Sequence, residues 1–199
     1  DGEKILYHAY EYYMLYKPQG VISATEDGRH KTVIDLLSGE NRRDLFPVGR
    51  LDIDTEGLLL LTNQGELANE IMHAGNLHEK EYLVTVDQPF NSAFLKKMRE
   101  GVELKELGVT TRPCRVESVG PKTFRIVLTQ GLNRQIRRMC EELGYHVVTL
   151  KRVRIMNILL GKLNTGDYRR ATPKEMEELE RALEQARELR EGQDEETTE

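Results

Sequence analysis

Hydrophobic and polar positions alternate over short stretches of the chain, a pattern typical of β-strands. The segments that carry this signal, or an unbroken apolar run, are predicted as strands: 12–15, 58–62, 82–86, 115–119, 123–129 and 147–153. The run of leucines at 58–61 is continuously apolar, which predicts a strand buried on both faces. Gly120-Pro121 separates the fourth and fifth segments, so these two are expected to form a hairpin.

Apolar residues recur at helical spacing in other parts of the chain. We predict helices at the following segments: 32–37, 66–73, 92–99, 131–143 and 173–191. Ser92 is the predicted cap of the third helix. Thr172, Pro173 and Glu175 give the last helix a cap, a first residue and a capping box. Hairpins interspersed with helices indicate an α+β fold around a mixed sheet.

The net charge of −5 over 199 residues argues at first against a nucleic-acid partner. The acidic residues are concentrated at the end, however, because residues 175–199 hold eleven acidic and three basic residues. Between Arg125 and Arg170 there are ten basic residues against three acidic ones, an excess that can face phosphates or form an ordinary solvated surface. Cys114 and Cys140 have no C-x-x-C partner, which indicates a reduced compartment without a disulfide framework.

Acidic residues cluster immediately before the predicted strand 58–62. Asp52, Asp54 and Glu56 lie in a loop that a buried strand would hold rigidly, so one of these carboxylates can be catalytic. A solvated turn is the plain structural alternative.

A calcium site is a second alternative for this cluster. Asp52, Asp54, Glu56 and Gly57 match the first, third, fifth and sixth positions of an EF-hand loop. The match fails later, because the twelfth position is Asn63 instead of a bidentate glutamate and the intervening residues have the pattern of a strand.

The segment 131–139 is rich in arginine. At helical spacing Arg134 and Arg138 point away from the apolar stripe, where they can meet RNA. Arg137 lies at the edge of the stripe, so its guanidinium can turn inward and would then need a carboxylate partner, for which Asp52 is the natural candidate. An exposed helix face is the alternative interpretation of all three arginines.

Across roughly 12–170 the sequence resembles the RsuA/RluB/RluF-type family of ribosomal RNA pseudouridine synthases. The elements that carry the resemblance are Lys17-Pro18-Gln19-Gly20, the stretch from Gly49 to Leu60, Lys80-Glu81-Tyr82, the stretch from Gly131 to Met139, and Leu150-Lys151-Arg152. The segment 78–84 is most similar to the RluF branch, which acts on large-subunit rRNA. The resemblance implies a mixed, largely antiparallel central sheet with flanking helices and an active-site cleft between two subdomains.

The resemblance further implies an isomerase that flips a uridine out of rRNA and converts it to pseudouridine without metal or cofactor. Asp52 would be the catalytic carboxylate, acting either as a nucleophile on the sugar or the uracil ring or as a base in a glycal-type route. Tyr82 would stack on the flipped base, and Arg137 would pair with Asp52. The residues expected to bind substrate or RNA are Arg50, Leu51, Arg134, Arg138, Leu150 and Arg152. A non-catalytic RNA-binding module is the rival function, and the presence of all three catalytic residue types argues against it.

Members of this family usually carry a small N-terminal RNA-binding domain, and this sequence begins about where the linker from that domain would be expected to end. We therefore expect residues 1–10 to be a linker from that domain, 11–191 to be the catalytic domain, and 192–199 to be a disordered acidic tail. RNA is the expected partner, with no membrane and no small-molecule cofactor. We expect a cytoplasmic monomer.

Overall fold

A nine-stranded sheet forms the centre of the molecule in the computed structural model, which describes residues 10–38, 44–73 and 78–196. In chain order the strands, including those of a small separate ribbon formed by β5 and β6, are β1 (Tyr12–Lys17), β2 (Phe46–Pro47), β3 (Glu56–Thr62), β4 (Lys80–Val86), β5 (Glu103–Leu104), β6 (Val109–Thr110), β7 (Arg115–Ser118), β8 (Thr123–Leu128), β9 (Val147–Ile155), β10 (Ile158–Leu159) and β11 (Tyr168–Arg170). The helices are α1 (Gly65–His73), α2 (Ser92–Glu100), α3 (Gln135–Glu142), α4 (Pro173–Glu196) and a short 3-10 helix at Ile34–Leu36.

The strand order in the sheet is β11-β1-β3-β9-β4-β8-β7, with β2 added to β3 and β10 added to β9. The central strands β3 and β9 run parallel. The other pairs in the described sheet are antiparallel. The predicted α+β fold with a mixed, largely antiparallel sheet is therefore confirmed.

Two groups of packed elements meet at the β3–β9 junction. On one side, α1 and α4 pack against β1 and β3, and the last six residues of β3 are buried, as the apolar run predicted. On the other side, α2 and α3 pack against β4 and β8. The expected cleft lies at this seam, where the loop before β3 and residues of β4, β8, β9 and α3 line a cavity.

Gly57 allows the two central strands to approach each other. It pairs with Arg152 in the parallel ladder and has φ +116. A Cβ atom at this position would lie 2.2 Å from the Arg152 carbonyl oxygen and 2.6 Å from its backbone nitrogen, so only glycine fits without moving a strand.

Several helix boundaries differ from the predicted ones. Asn91, not Ser92, caps α2, because the Asn91 side chain accepts a hydrogen bond from the Phe94 backbone N–H at 3.0 Å. The segment predicted as a helix from residue 131 begins its helix only at Gln135, since Arg134 adopts the left-handed conformation. Of the predicted short helix 32–37, only the 3-10 turn forms.

The C-terminal helix begins as predicted, with reciprocal Thr172–Glu175 hydrogen bonds of 2.9 and 3.2 Å. The helix continues to Glu196, past the predicted end at 191, and the predicted disorder of the acidic tail stays a prediction. Residues 1–9 and 197–199, which contain most of the predicted linker and the end of the predicted tail, lie outside the described residues. Within the described part of the chain, no helix is both long enough and apolar enough to cross a membrane.

Candidate active site

The loop that carries Asp52 is fixed by side-chain hydrogen bonds on the inner side. Ser23 Oγ accepts a hydrogen bond from the Leu51 N–H at 3.0 Å and donates one to the Leu51 carbonyl at 3.1 Å. The Thr55 N–H then donates to the Asp52 carbonyl at 3.0 Å, which closes a turn. Leu51 and Thr55 are buried, while the Asp52 side chain between them remains 43% exposed. The loop thus holds the Asp52 carboxylate at the surface on a rigid base.

The turn after β1 supports the same loop from behind. The Gly20 N–H donates to the Ile53 carbonyl at 2.8 Å. Lys17 is fully buried, and its Nζ donates to the carbonyls of Pro18 and Val21 at 2.8 and 2.6 Å. Burial lowers the pKa of Lys17 to about 8. The Lys-Pro-x-Gly element therefore supports the loop that carries Asp52, a role that the sequence alone did not reveal.

Arg134 supplies the counter-charge to the acidic loop. Its guanidinium makes a two-pronged contact with Asp54, with N–O distances of 3.0 and 2.8 Å. The same side chain lies 3.4 Å from Asp52 Oδ2. The hydrogen bonds from Arg134 hold the pKa of Asp54 below its usual value and raise the pKa of Arg134.

Arg137 turns inward as predicted, with only 12% of its side chain exposed, but the predicted pairing with Asp52 is wrong. Its Nη2 donates to the Asp54 carbonyl at 2.8 Å and to Thr55 Oγ1 at 3.3 Å, and it lies 3.5 Å from Asp54 Oδ1. Burial lowers the pKa of Arg137. The physical reason is that α3 begins only at Gln135. Arg134 lies in the turn before the helix and contacts the carboxylates of Asp52 and Asp54, whereas Arg137 donates to the backbone of the loop.

Arg138 lies away from this loop. Its Nη1 forms an ion pair with Glu106, and its Nε and Nη2 donate to the Asn133 carbonyl and side-chain oxygen at 2.9 Å each. It lines a separate depression together with Glu141 and Glu142.

A cavity of about 320 Å³ opens beside Asp52, a size typical of ligand sites. Seven of the nine residues predicted as catalytic or RNA-binding line it: Arg50, Leu51, Asp52, Tyr82, Arg134, Leu150 and Arg152. Arg137 and Arg138 do not. Further lining residues that the sequence did not single out are Thr55, Lys80, Leu128, Gln130, Asn133, Gln135 and Ile136.

Strand β4 contributes Lys80 and Tyr82, which point to the same face because they are two residues apart. The β4–β9 register shifts between Glu81 and Tyr82, so that Tyr82 pairs with Arg152. Such bulges re-aim side chains and are common beside active sites. Lys80 is two residues from Tyr82 in the motif Lys80-Glu81-Tyr82, and this spacing could have identified Lys80 as a residue of the same site.

The ionisable groups of the cavity wall are mostly cationic: Arg50, Lys80, Arg134 and Arg152 line it together with Asp52 as the acidic group. Anionic ligands are therefore favoured near the opening. Within the described residues, no group of three His, Cys, Asp or Glu side chains is arranged to hold a metal ion. The calcium alternative is excluded by the backbone, because residues 56–62 form β3 and not a metal-binding loop.

Comparison with known proteins supplies the family. A family model for RNA pseudouridylate synthase matches residues 11–142. The dual-specificity RNA pseudouridine synthase RluF of Escherichia coli K12 is 49% identical over 170 residues, which are 85% of this chain and 57% of that protein. The ribosomal large subunit pseudouridine synthase B of Bacillus subtilis is 39% identical over 188 residues, covering 92% of this chain and 76% of that protein.

Structural comparison agrees with the sequence matches. A crystal structure of a pseudouridylate synthase is similar with a TM-score of 0.81 at 31% identity, over 87% of this chain and 75% of that one. The chain spans little more than half the length of its RluF relatives. On these matches the chain belongs to the RNA pseudouridylate synthase family.

Proposed function

We propose that this chain converts a uridine of ribosomal RNA, in the large subunit, to pseudouridine. The RluF relatives are described as dual-specificity RNA pseudouridine synthases, and the Bacillus relative is described as a pseudouridine synthase of the large ribosomal subunit. The reaction is an isomerisation: the bond from C1′ to N1 of uracil breaks, a bond from C1′ to C5 forms, the C5 proton leaves and N1 gains a proton. It needs no redox partner and no additional reactant.

The position of Asp52 is the observation that supports this proposal most strongly. Its half-exposed carboxylate stands at the opening of a cavity whose apolar walls include Leu128, Ile136 and Leu150. A planar base fits between such walls, and its sugar would remain at the opening beside Asp52. Arg134 balances the charge of this carboxylate at 3.4 Å.

The residues around Asp52 divide the remaining work. Asp52 acts as a nucleophile on the sugar or the ring, or as a base in a glycal-type route. Tyr82 offers its ring for stacking on the flipped base. Arg137 is a positioning residue in this proposal, because it holds the backbone of Asp54 and the hydroxyl of Thr55 rather than the reacting carboxylate.

Access to the base requires flipping, which costs about a few kcal/mol for unstacking. Arg50 and Arg134 line the opening and can offset that cost by contacting phosphates. Arg138 is the weaker candidate for an RNA contact, since Glu106 and Asn133 already engage its guanidinium. Action as a monomer remains part of this proposal, and an rRNA substrate supports a cytoplasmic location.

The test is incubation of the chain with separate large- and small-subunit rRNA transcripts, followed by chemical mapping of pseudouridine. We expect a new pseudouridine in the large-subunit transcript. Binding of both transcripts without any modified uridine would instead support the rival function, a non-catalytic RNA-binding module.

A further inference from the structure

Two cations that line the cavity have side-chain N–H groups without an acceptor among the described residues. Arg152 is 4% exposed; its Nε donates to the Leu58 carbonyl at 2.8 Å, but its Nη2 is buried without a hydrogen-bond partner. Lys80 lines the same cavity, and it takes part in none of the ion pairs among the described residues. A donor buried without an acceptor is costly, so its presence beside a cavity points to a ligand acceptor.

The two cations also disfavour each other. Burial lowers the pKa of Lys80, and the charge of Arg152 lowers it further. Two cations side by side repel each other, and an electron-rich oxygen between the donors makes the arrangement favourable.

The surroundings indicate which oxygen this is. Tyr82, Leu128 and Leu150 flank the cations with apolar or aromatic surface, which suits the faces of a base better than a hydrated phosphate. Asp52 is at the exposed end of the cavity and Arg152 at the buried end. A uracil whose N1 lies near Asp52 directs its C4 carbonyl inward, because C4 is opposite N1 in the ring.

We infer that Lys80 and Arg152, together called the donor wall, bind a carbonyl oxygen of the flipped uracil and select uracil over cytosine. This inference rests on the proposed function. Lysine and arginine donate hydrogen bonds and accept none. Cytosine carries an amino group, itself a donor, where uracil carries the C4 oxygen, so it would leave the wall unpaired.

The donor wall also suits the product. Turning the detached ring so that C5 faces the sugar exchanges N1 with C5 and the C4 carbonyl with the C2 carbonyl. The inward position is therefore occupied by an oxygen before and after the turn. Because the wall contains donors alone, it can hold the ring in both orientations without rearranging.

Equilibrium binding of free nucleotides tests this inference without requiring turnover. The probes are uridine, pseudouridine and cytidine 5′-monophosphates and inorganic phosphate, titrated into the whole chain by calorimetry or NMR. We expect the uridine nucleotide to bind about tenfold or more tightly than the cytidine nucleotide, as one charged hydrogen bond would give. Lys80→Met should weaken uridine and pseudouridine nucleotides by a similar factor of about ten and the cytidine nucleotide by less than about threefold.

Two further variants complete the test. Lys80→Arg keeps a donor and should retain most of the preference. Lys151→Met is the matched control, since that lysine on the neighbouring strand lies over the Tyr16 ring and does not line the cavity; it should leave all affinities unchanged. Equal weakening of every nucleotide in Lys80→Met, with inorganic phosphate competing, would mean that the wall binds phosphate and would overturn the inference. A wild-type chain that binds the uridine and cytidine nucleotides equally would also overturn the inference, even if it modifies rRNA. A chain that prefers the uridine nucleotide but does not modify rRNA would refute only the proposed function.

Discussion

Replacing Arg137 by methionine tests the corrected arrangement of the arginines. The change removes two hydrogen bonds from a charged donor, to the Asp54 carbonyl at 2.8 Å and to Thr55 Oγ1 at 3.3 Å. Such bonds contribute about 1.5–3 kcal/mol each, and the lost cost of burying the guanidinium offsets part of this. We expect a net loss of about 2–3 kcal/mol in the free energy of unfolding.

Arg138→Met is the matched control on the same helix. Its ion-pair partner Glu106 is 80% exposed, and its two hydrogen bonds to Asn133 are also exposed to solvent, so water can replace these contacts and their loss should cost about 1 kcal/mol or less. Urea unfolding of the two variants measures the difference directly. If Asp52 acts as proposed, displacement of its loop should also reduce kcat of Arg137→Met by about 10- to 100-fold, while Arg138→Met stays within about threefold of wild type. Equal losses of stability and activity in the two variants would refute the bracing role of Arg137.

Three further results are expected. Gly57→Ala should lower the free energy of unfolding, measured in urea, by more than about 2 kcal/mol, because its Cβ would meet the backbone of β9. Gly65→Ala is the control: its Cβ would meet no atom within 4 Å, so the free energy of unfolding should change by less than about 1 kcal/mol. The pKa of Asp54 is lowered in the folded state, so its ionised form stabilises the fold at pH values above its ordinary pKa. The difference in unfolding free energy between wild type and Asp54→Asn should therefore shrink as the pH falls through the acidic range. A difference that does not change with pH would contradict this. RNA affinity should fall steeply with salt in filter-binding assays, and Arg50→Ala should flatten that dependence more than Arg138→Ala, whose guanidinium is already paired.

Local signals in the sequence were sufficient for much of the fold. The capping box of Thr172 and Glu175 depends on residues three apart, and the apolar run 58–61 has few alternatives to a buried strand. Asn91 and Ser92 are both good caps, so only the extended backbone of Asn91 in the folded chain decides between them.

The arrangement inside the site depended on tertiary structure. Periodicity placed Arg134 within a helix, but its left-handed backbone ends that periodicity and directs its side chain over Asp52 and Asp54. The position of Lys80 beside Arg152 depends on the pairing of β4 with β9, two strands that are far apart in sequence. No local pattern of residue types encodes either fact.

Pseudouridine formation by Asp52→Asn tests the central claim most directly. The amide keeps the shape of the side chain but lacks the charge that either chemical route requires. Single-turnover assays with large-subunit rRNA should show no pseudouridine for Asp52→Asn, while the RNA still binds within about threefold of wild type and Asp54→Asn retains measurable activity. Substantial pseudouridine formation by Asp52→Asn would contradict the assignment of this carboxylate as the catalytic group.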